Sequence, residues 1–525
     1  MFDYLIVGGE VIDGTRAPRF RADVGIHGDR IGAVGDLGDA EARHRIDASQ
    51  RIVAPGFIDV HNHSDGWMIK RSHLEAKTKQ GFTTEVLAAD GISYAPVNQF
   101  TADQWVFYLR ALNALEPDEY QGWQTLEEFM SAIDGCNVQN VMTHIPYANL
   151  RSMVCGWGRH AVDDYQMRQI QLEIRRGMEA GAVGLSTGLD YIVQCFSTTD
   201  ELAEACTAMA EFNGLYVTHA RYKKTLLPAL KEAVEIGRRA GVSVHISHLK
   251  AQTTSQIEEV LSYIDNVARH EVDFSFDVYP YQPGSTMLSY LLPYDVWVDG
   301  PLSAWEKLND PEIRHRFAEG LDAYRLDLDH VILAWVGSDK NAQRVGKTLS
   351  AFISETGLEP ADALCQLLID EQLAVLCVMD EGDDLLIRPF LQHDLYMMGS
   401  DGIYFPDSTV HPRVYGSSGR LLGPSVRDWN LFSLEDAVHK QTGKTAGRFG
   451  LQNRGAIQQD NFADVVVFDP TTVGDHATYS TPHQFTSGIE HVLVNGQPII
   501  EGGEVVSVND DRFPGRFLKY NGKEL

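Results

Sequence analysis

Between Phe57 and Asp401 the chain repeatedly ends a short apolar run on a histidine or aspartate, and this constrains the fold more than any other feature. Phe57–Val60 leads to His61, Val86–Ala89 to Asp90, Leu215–Thr218 to His219, Val244–Ser247 to His248, and Met397–Ser400 to Asp401. Runs this short, bounded by Gly- and Pro-containing turns, read as buried strands. Side chains alternate along a strand, so His61 and His63 share one face, with Asp59 beside them. The same parity puts Val244, Ile246 and His248 on one face and turns His245 to the other, which makes His248 a candidate ligand and His245 a packing residue. His61, His63, Asp90, His219, His248 and Asp401 supply imidazoles and carboxylates, donor types that hold a divalent metal.

Helical segments are expected at Ser72–Lys79, Tyr165–Ala180, Asp200–Asn213 and Pro228–Ala240. Further strands are expected at Thr83–Ala89, Val138–Ile145, Gly184–Ser186, Asp273–Tyr279, Val331–Ala334 and Leu395–Gly399. Alternating units of this kind favour a parallel sheet, and about eight of them predict a closed TIM-like (β/α)8 barrel over residues 55–449. Functional side chains of such a barrel cluster at the C-terminal ends of its strands, where the six candidates stand. The stretch near 283–339, rich in Trp, Pro and Tyr, breaks the repeat and reads as an insertion over the mouth. Both ends of the chain are short strands with turns, including the hairpins Ile6–Ile12 and Val494–Ile500, the latter around Asn495-Gly496. Residues 1–54 and 450–525 are therefore expected to complete one small β-sandwich, as chain termini often lie close together.

A formal charge of −29 argues against a nucleic-acid partner, whose phosphates demand a basic surface, and against docking on anionic membranes. No apolar run approaches the roughly 20 residues of a membrane span. Six cysteines without a Cys-x-x-Cys pair point to reduced thiols, and Met1–Val11 lacks the pattern of a secretory signal, so a cytoplasmic location is expected.

Several motifs resemble the N-acyl-D-amino-acid deacylases (D-aminoacylases) of the amidohydrolase superfamily. They are His61-Asn-His63, Gly181–Leu189, Val242–Lys250, Asp277–Tyr281, Gly284–Leu288, Gly399–Gly402 and His411–Gly416, followed by Arg454–Ile457 and Ala463–Pro470. The resemblance spans nearly the whole chain. It implies a zinc-dependent (β/α)8 barrel with a β-sandwich formed from both termini, agreeing with the organisation read from the residues. It also implies that His219 and His248 hold the tighter metal, with His61, His63 and Asp401 forming the adjoining site. Hydroxide made available by the metal would attack the amide, and Asp401 would take the water's proton and return it to the leaving amine. The expected substrate is a small molecule with a free carboxylate, an N-acyl-D-amino acid cleaved to a carboxylate and a free D-amino acid. The alternative is a cyclic amide, an N-carbamoyl amino acid or a lactone. Lys250, Arg413, Tyr191 and Ser285 are the implied substrate-binding residues, the first two suited to a carboxylate.

The chain also departs from that family's pattern. Asp90 stands where members carry a metal-binding cysteine; a carboxylate is the harder ligand and can bridge two ions, so one or two divalent metals are expected, zinc or else Mn, Fe or Co. Tyr147 stands where relatives show a histidine, and Val193-Gln194-Cys195 replaces a proline-rich turn; both segments are expected at the mouth. Oligomeric state, including a homo-oligomer, stays open.

Overall fold

The computed structural model describes residues 1–324, 326–507 and 512–522. The chain is a mixed α/β protein, and its two ends meet in one sheet. Ile52–Pro55 pairs antiparallel with Val465–Phe468, with Val53 opposite Val467, and parallel with Glu10–Val11. These strands lie within a seven-stranded sheet, and a second, four-stranded sheet is built wholly from residues between Phe2 and Asp47. Alternation along the shared strands separates two cores. Val53, Val465 and Val467 pack in an apolar cluster with Ile6, Val24, Ile26 and Ile31. Ile52, Ala54, Val466 and Phe468 point the other way, into the main core of the molecule. The Asn495-Gly496 turn takes positive φ at both residues, 48° and 78°, as a two-residue hairpin of type I′ requires.

Eight parallel strand positions occupy the middle of the chain: β1 (Phe57–Asp59), β2 (Phe82–Leu87), β3 (Asn140–Thr143, resuming at Ile145–Pro146), β4 (Gly184–Gly188), β5 (Leu215–His219), β6 (Ser243–Ile246), β7 (Phe274–Val278) and β8 (Tyr396–Met398). Each pairs with the next in parallel register. The last returns to the first: the Val60 amide donates to the Met398 carbonyl at 3.4 Å, that of Asp401 to His61 at 2.7 Å and that of His63 to Gly402 at 3.1 Å. Helices follow the strands where amphipathic periodicity and capping coincide. Asp164–Ala180 begins on a capping box, Asp163 accepting from the Tyr165 and Gln166 amides, and ends on Gly181 at φ 106°. Leu226–Ala240 buries Leu230, Ala233, Val234 and Gly237 on one face. The segment read as one helix from Asp200 to Asn213 is α-helical only over Thr199–Cys206 and tightens to 3-10 geometry over Thr207–Phe212.

The inserted segment is longer than its composition indicated. Gly284–Met287, Val331–Val336 and Val375–Met379 form a separate three-stranded antiparallel sheet with Val375–Met379 in the centre. Val331–Ala334 is therefore not a strand of the parallel series. β7 pairs directly with β8, Asp277 opposite Met397, which leaves no place between them. An apolar run states that a strand is buried, not which strand it joins. None of the six cysteines is in a disulfide, and five are buried. Among the described residues no helix is long and apolar enough to cross a membrane.

The C-terminal strands are locked to β3 by a buried polar network. Arg454 pairs with Asp464 and donates to the Asn495 side chain at 2.7 Å, and Asn495 donates to Asn140 at 2.8 Å. Arg454→Ala leaves Asp464 without its cation, and removal of one partner of a buried pair costs about 3–5 kcal/mol. A clearly lowered urea midpoint is expected; an unchanged midpoint would show that the network is not holding the two parts together.

Candidate metal centre

The six histidines and aspartates read from the strand ends converge. His61 and His63 follow β1, Asp90 follows β2, His219 ends β5, His248 follows β6 and Asp401 follows β8. Three overlapping groups place ligand atoms within 4.8 Å of one another: His61, His63 and Asp90; Asp90, His219 and His248; and His61, His248 and Asp401. Asp90 stands at the middle. Its Oδ1 lies 3.5 Å from His61 Nε2 and 3.8 Å from His248 Nε2. Its Oδ2 lies 3.7 Å from His63 Nε2 and 3.9 Å from His219 Nδ1. Asp401 Oδ1 is 3.2 Å from His63 Nε2 and 3.6 Å from His61 Nε2, and His219 Nδ1 faces His248 Nε2 at 3.0 Å.

The main chain is bent to reach this arrangement. Ala88, Asp90, His248 and Asp401 all have left-handed φ, at 60°, 57°, 37° and 49°. Non-glycine residues hold such a conformation only where their surroundings fix it. Gln194 supplies part of that fixation, its Nε2 donating to the Asp90 carbonyl at 2.8 Å while its Oε1 accepts from the Gly188 amide at 2.9 Å. Ser186 Oγ donates to the Ala88 carbonyl at 2.6 Å and accepts from the Gly91 amide at 3.2 Å. Gly91 must be glycine: a Cβ there would lie 2.3 Å from Gln194 Oε1 and 2.7 Å from Thr187 Cα.

Carboxylates behind the cluster orient its rings. Asp190 Oδ2 lies 3.3 Å from His219 Nε2, leaving Nδ1 to face the other ligand atoms. Asp277 Oδ1 accepts from the His248 amide at 2.9 Å, and its Oδ2 sits 3.0 Å from His245 Nε2 and 3.6 Å from His61 Nδ1. His245, read as packing, thus supports the cluster through Asp277. Burial disfavours the charged imidazolium of His61, but Asp277, Asp90 and Asp401 outweigh it and push its pKa up to about 10. The surplus of negative charge that does this is also what a divalent cation would neutralise. His61 Nε2 and Asp90 Oδ1 are buried without a hydrogen-bond partner, although buried polar atoms are nearly always satisfied. Four imidazoles and two carboxylates, with orphaned atoms aimed at one another, fit a centre for one or two borderline cations such as Zn, Mn, Fe or Co.

A cavity of about 440 Å³ opens onto the cluster and is lined by His63, Asp90, His219, His248 and Asp401, together with Tyr191, Lys250 and Ser285. Lys250 Nζ donates to Tyr279 Oη at 2.5 Å and to the Gln282 and Pro283 carbonyls at 2.9 and 3.1 Å. Burial, reinforced by Arg413, lowers its pKa to about 7. Tyr191 Oη lies 3.1 Å from Thr286 Oγ1, and Ser285 Oγ donates to the Cys377 carbonyl at 2.8 Å. Arg413 is fully buried behind the wall. Its Nη1 lies 2.9 Å from Asp401 Oδ2, its Nη2 donates to the Ser285 carbonyl at 3.2 Å, and its guanidinium covers the Tyr279 ring. Tyr147 does not line this cavity as expected; it is buried, donating to Glu201 Oε1 at 2.6 Å beside Arg151. Gln194 likewise turns inward to Asp90.

Asp190, Asp277 and Gln194 were not foreseen as site residues. Asp277 lies inside β7, one residue before its end at Val278, so the rule that found the six at the ends of apolar runs passes over it. Asp190 and Gln194 sit in the irregular segment after β4, where no periodicity marks them.

The amidohydrolase family model matches residues 45–330 and 387–500. The stretch it leaves out holds two of the three strands of the inserted sheet. D-aminoacylase from Alcaligenes xylosoxydans xylosoxydans is 36% identical over 503 residues, 95% of this chain and 94% of its own length. The crystal structure of N-acyl-D-glutamate deacylase from Bordetella bronchiseptica, complexed with zinc and a phosphonate mimic of the tetrahedral intermediate, superposes with a TM-score of 0.83. Its sequence identity is 32%, and the match covers 99% of both chains. A D-aminoacylase structure described in terms of a binuclear metal centre, with one-metal activation and second-metal attenuation, has a TM-score of 0.82 at 32% identity, over 99% of this chain and 100% of that one.

If Asp90 belongs to both donor groups, Asp90→Ala should lower the divalent metal retained through purification without chelator and dialysis, and Asp90→Cys should retain metal with a shifted preference toward zinc. Elemental analysis of the three proteins reads this directly. Equal metal content in all three would place Asp90 outside the centre.

Proposed function

The chain belongs to the amidohydrolase family, and from that footing we propose that it is a metal-dependent hydrolase cleaving the amide of an N-acyl-D-amino acid to a carboxylate and a free D-amino acid. The observation that carries this reading is the convergence of His61, His63, Asp90, His219, His248 and Asp401 at the floor of a cavity whose wall carries Lys250, Tyr191 and Ser285. The named relatives support it, each being called a D-aminoacylase or an N-acyl-D-glutamate deacylase. We read the eight parallel strands as a (β/α)8 barrel, supported by the hydrogen bonds from β8 back to β1, and the two terminal sheets over one core as a β-sandwich. Free and mostly buried thiols accord with a reducing, cytoplasmic setting.

His61, His63, Asp90, His219, His248 and Asp401 would hold the cation. A divalent ion held there supplies Lewis acidity, polarising the acyl carbonyl and lowering the pKa of water toward about 7. Asp401 is the general base and acid. Burial opposes its ionised form, but Arg413 at Oδ2 holds its carboxyl well below the usual range, so Asp401 stands ready to accept a proton. It then returns that proton to the nitrogen of the departing amine, which leaves poorly without it. Lys250, Tyr191 and Ser285 bind the free carboxylate from the cavity wall. Arg413, whose Nε has no hydrogen-bond partner, adds its charge from behind them.

The test is a panel of N-acetyl, N-formyl and N-carbamoyl derivatives of D- and L-amino acids, assayed with added Zn2+ or Mn2+. Turnover is expected for N-acyl-D-amino acids and should vanish on chelation. Activity confined to neutral rings or to N-carbamoyl compounds would replace this reading. Asp401→Asn should keep fold and metal while lowering kcat by roughly two to four orders of magnitude, the usual worth of a positioned acid–base group. Near wild-type turnover in that variant would remove Asp401 from the reaction.

A further inference from the structure

We propose that Asp190 is a positioning residue for His219, and that Tyr294, acting through Asp190, ties the inserted segment to the metal centre. The inference rests on the reading that His219 is a metal ligand. Asp190 follows β4 and is buried, only 3% exposed. Its two oxygens are engaged on different sides. Oδ2 faces His219 Nε2 at 3.3 Å and accepts from the Lys223 amide at 3.0 Å and from Tyr290 Oη at 3.4 Å. Oδ1 accepts from Tyr294 Oη at 2.7 Å. Tyr290 and Tyr294 lie within the inserted segment that carries the antiparallel sheet.

The chemistry follows from the tautomers of imidazole. A neutral ring carries one proton, and only the nitrogen without it can donate a lone pair to a cation. Asp190 accepts the proton at Nε2 and thereby keeps it there, which frees Nδ1, the nitrogen that faces His248 Nε2 at 3.0 Å and Asp90 Oδ2 at 3.9 Å. An outer carboxylate of this kind sets both tautomer and ring angle. The carboxylate itself must not rotate, and Tyr294 holds the oxygen that His219 does not use. Tyr290 is among the residues lining the cavity, and Tyr294 reaches Asp190 through its hydroxyl. Metal retention should therefore depend on Tyr294. The inserted segment is then part of the support of the centre and not only a wall above it.

The experiment measures the affinity of the full chain for Zn2+ by competition with a chromophoric chelator, and the visible spectrum of the Co2+-loaded protein, in wild type, Asp190→Asn, Tyr294→Phe and the double variant. Asp190→Asn should bind Zn2+ about 10–100-fold more weakly and alter the Co2+ spectrum. Tyr294→Phe should weaken binding by about fivefold, the effect of one hydrogen bond passed on through the carboxylate. The double variant should be no weaker than Asp190→Asn alone, because both act on one element. Thermal midpoints of the metal-free proteins should match wild type. Wild-type affinity in the folded Asp190→Asn protein overturns the positioning role, and wild-type affinity in Tyr294→Phe overturns the link to the insertion. Should Asp190→Asn fail to fold, Tyr294→Phe still decides. A variant that loses stability without metal and keeps its affinity would show a structural carboxylate only. A wild-type chain that takes up no divalent cation sinks both this inference and the proposed function; one that binds and hydrolyses while the variants bind equally well sinks this inference alone.

Discussion

Negative charge withdrawn from water is the constraint that the rest of the molecule answers. Asp90, Asp277 and Asp401 are 2%, 0% and 6% exposed and lie around the same four histidines. Removing an ionised carboxylate from water costs several kcal/mol unless it is paired. Asp277 has the His248 amide and His245, and Asp401 has Arg413. Asp90 has only ring nitrogens: against the cost of burial, His61, His248 and His219 hold its carboxyl below the usual range, and these neighbours at 3.5–3.9 Å are ones a metal would also claim. With the four imidazoles around it, Asp90 is among the residues that would hold a divalent cation there.

The backbone belongs to that position too. Asp90 meets His61, His63, His219 and His248 from a stretch whose main chain turns left-handed at Ala88 and Asp90. The turns are held from β4 and the segment after it, by Ser186 and Gln194, rather than from the strand that bears Asp90. Placement of Asp90 therefore depends on a neighbouring unit of the fold.

Much of this was legible because strands impose parity. The ends of apolar runs placed His61, His63, Asp90, His219, His248 and Asp401, and alternation separated His248 from His245. The termini were joined by their two similar hairpins, and in the structure Val465 and Val467 face one core while Val466 and Phe468 face another. What escaped lies where period gives no information. Asp190 and Gln194 occupy irregular chain, and their partners are distant in sequence. Val331–Val336 has the period of a strand, but the identity of its neighbour is a tertiary fact, so the extent of the insertion could not be read. Tyr147, expected at the mouth because relatives show a histidine there, turns its hydroxyl to Glu201, a buried carboxylate already paired with Arg151.

Arg413 shows why roles in such a site do not separate cleanly. The guanidinium that suits a substrate carboxylate is also the counter-charge of Asp401, at 2.9 Å from Oδ2. Any field it lends to the cavity is felt by Asp401 as well, lowering its proton affinity while keeping it ionised. Lys250 feels the same field in the opposite sense, its ammonium destabilised by burial and by Arg413. An anionic substrate in the cavity would meet Lys250, which lines it, while Arg413 stays buried behind the wall. One buried cation therefore acts on Lys250 and Asp401 together.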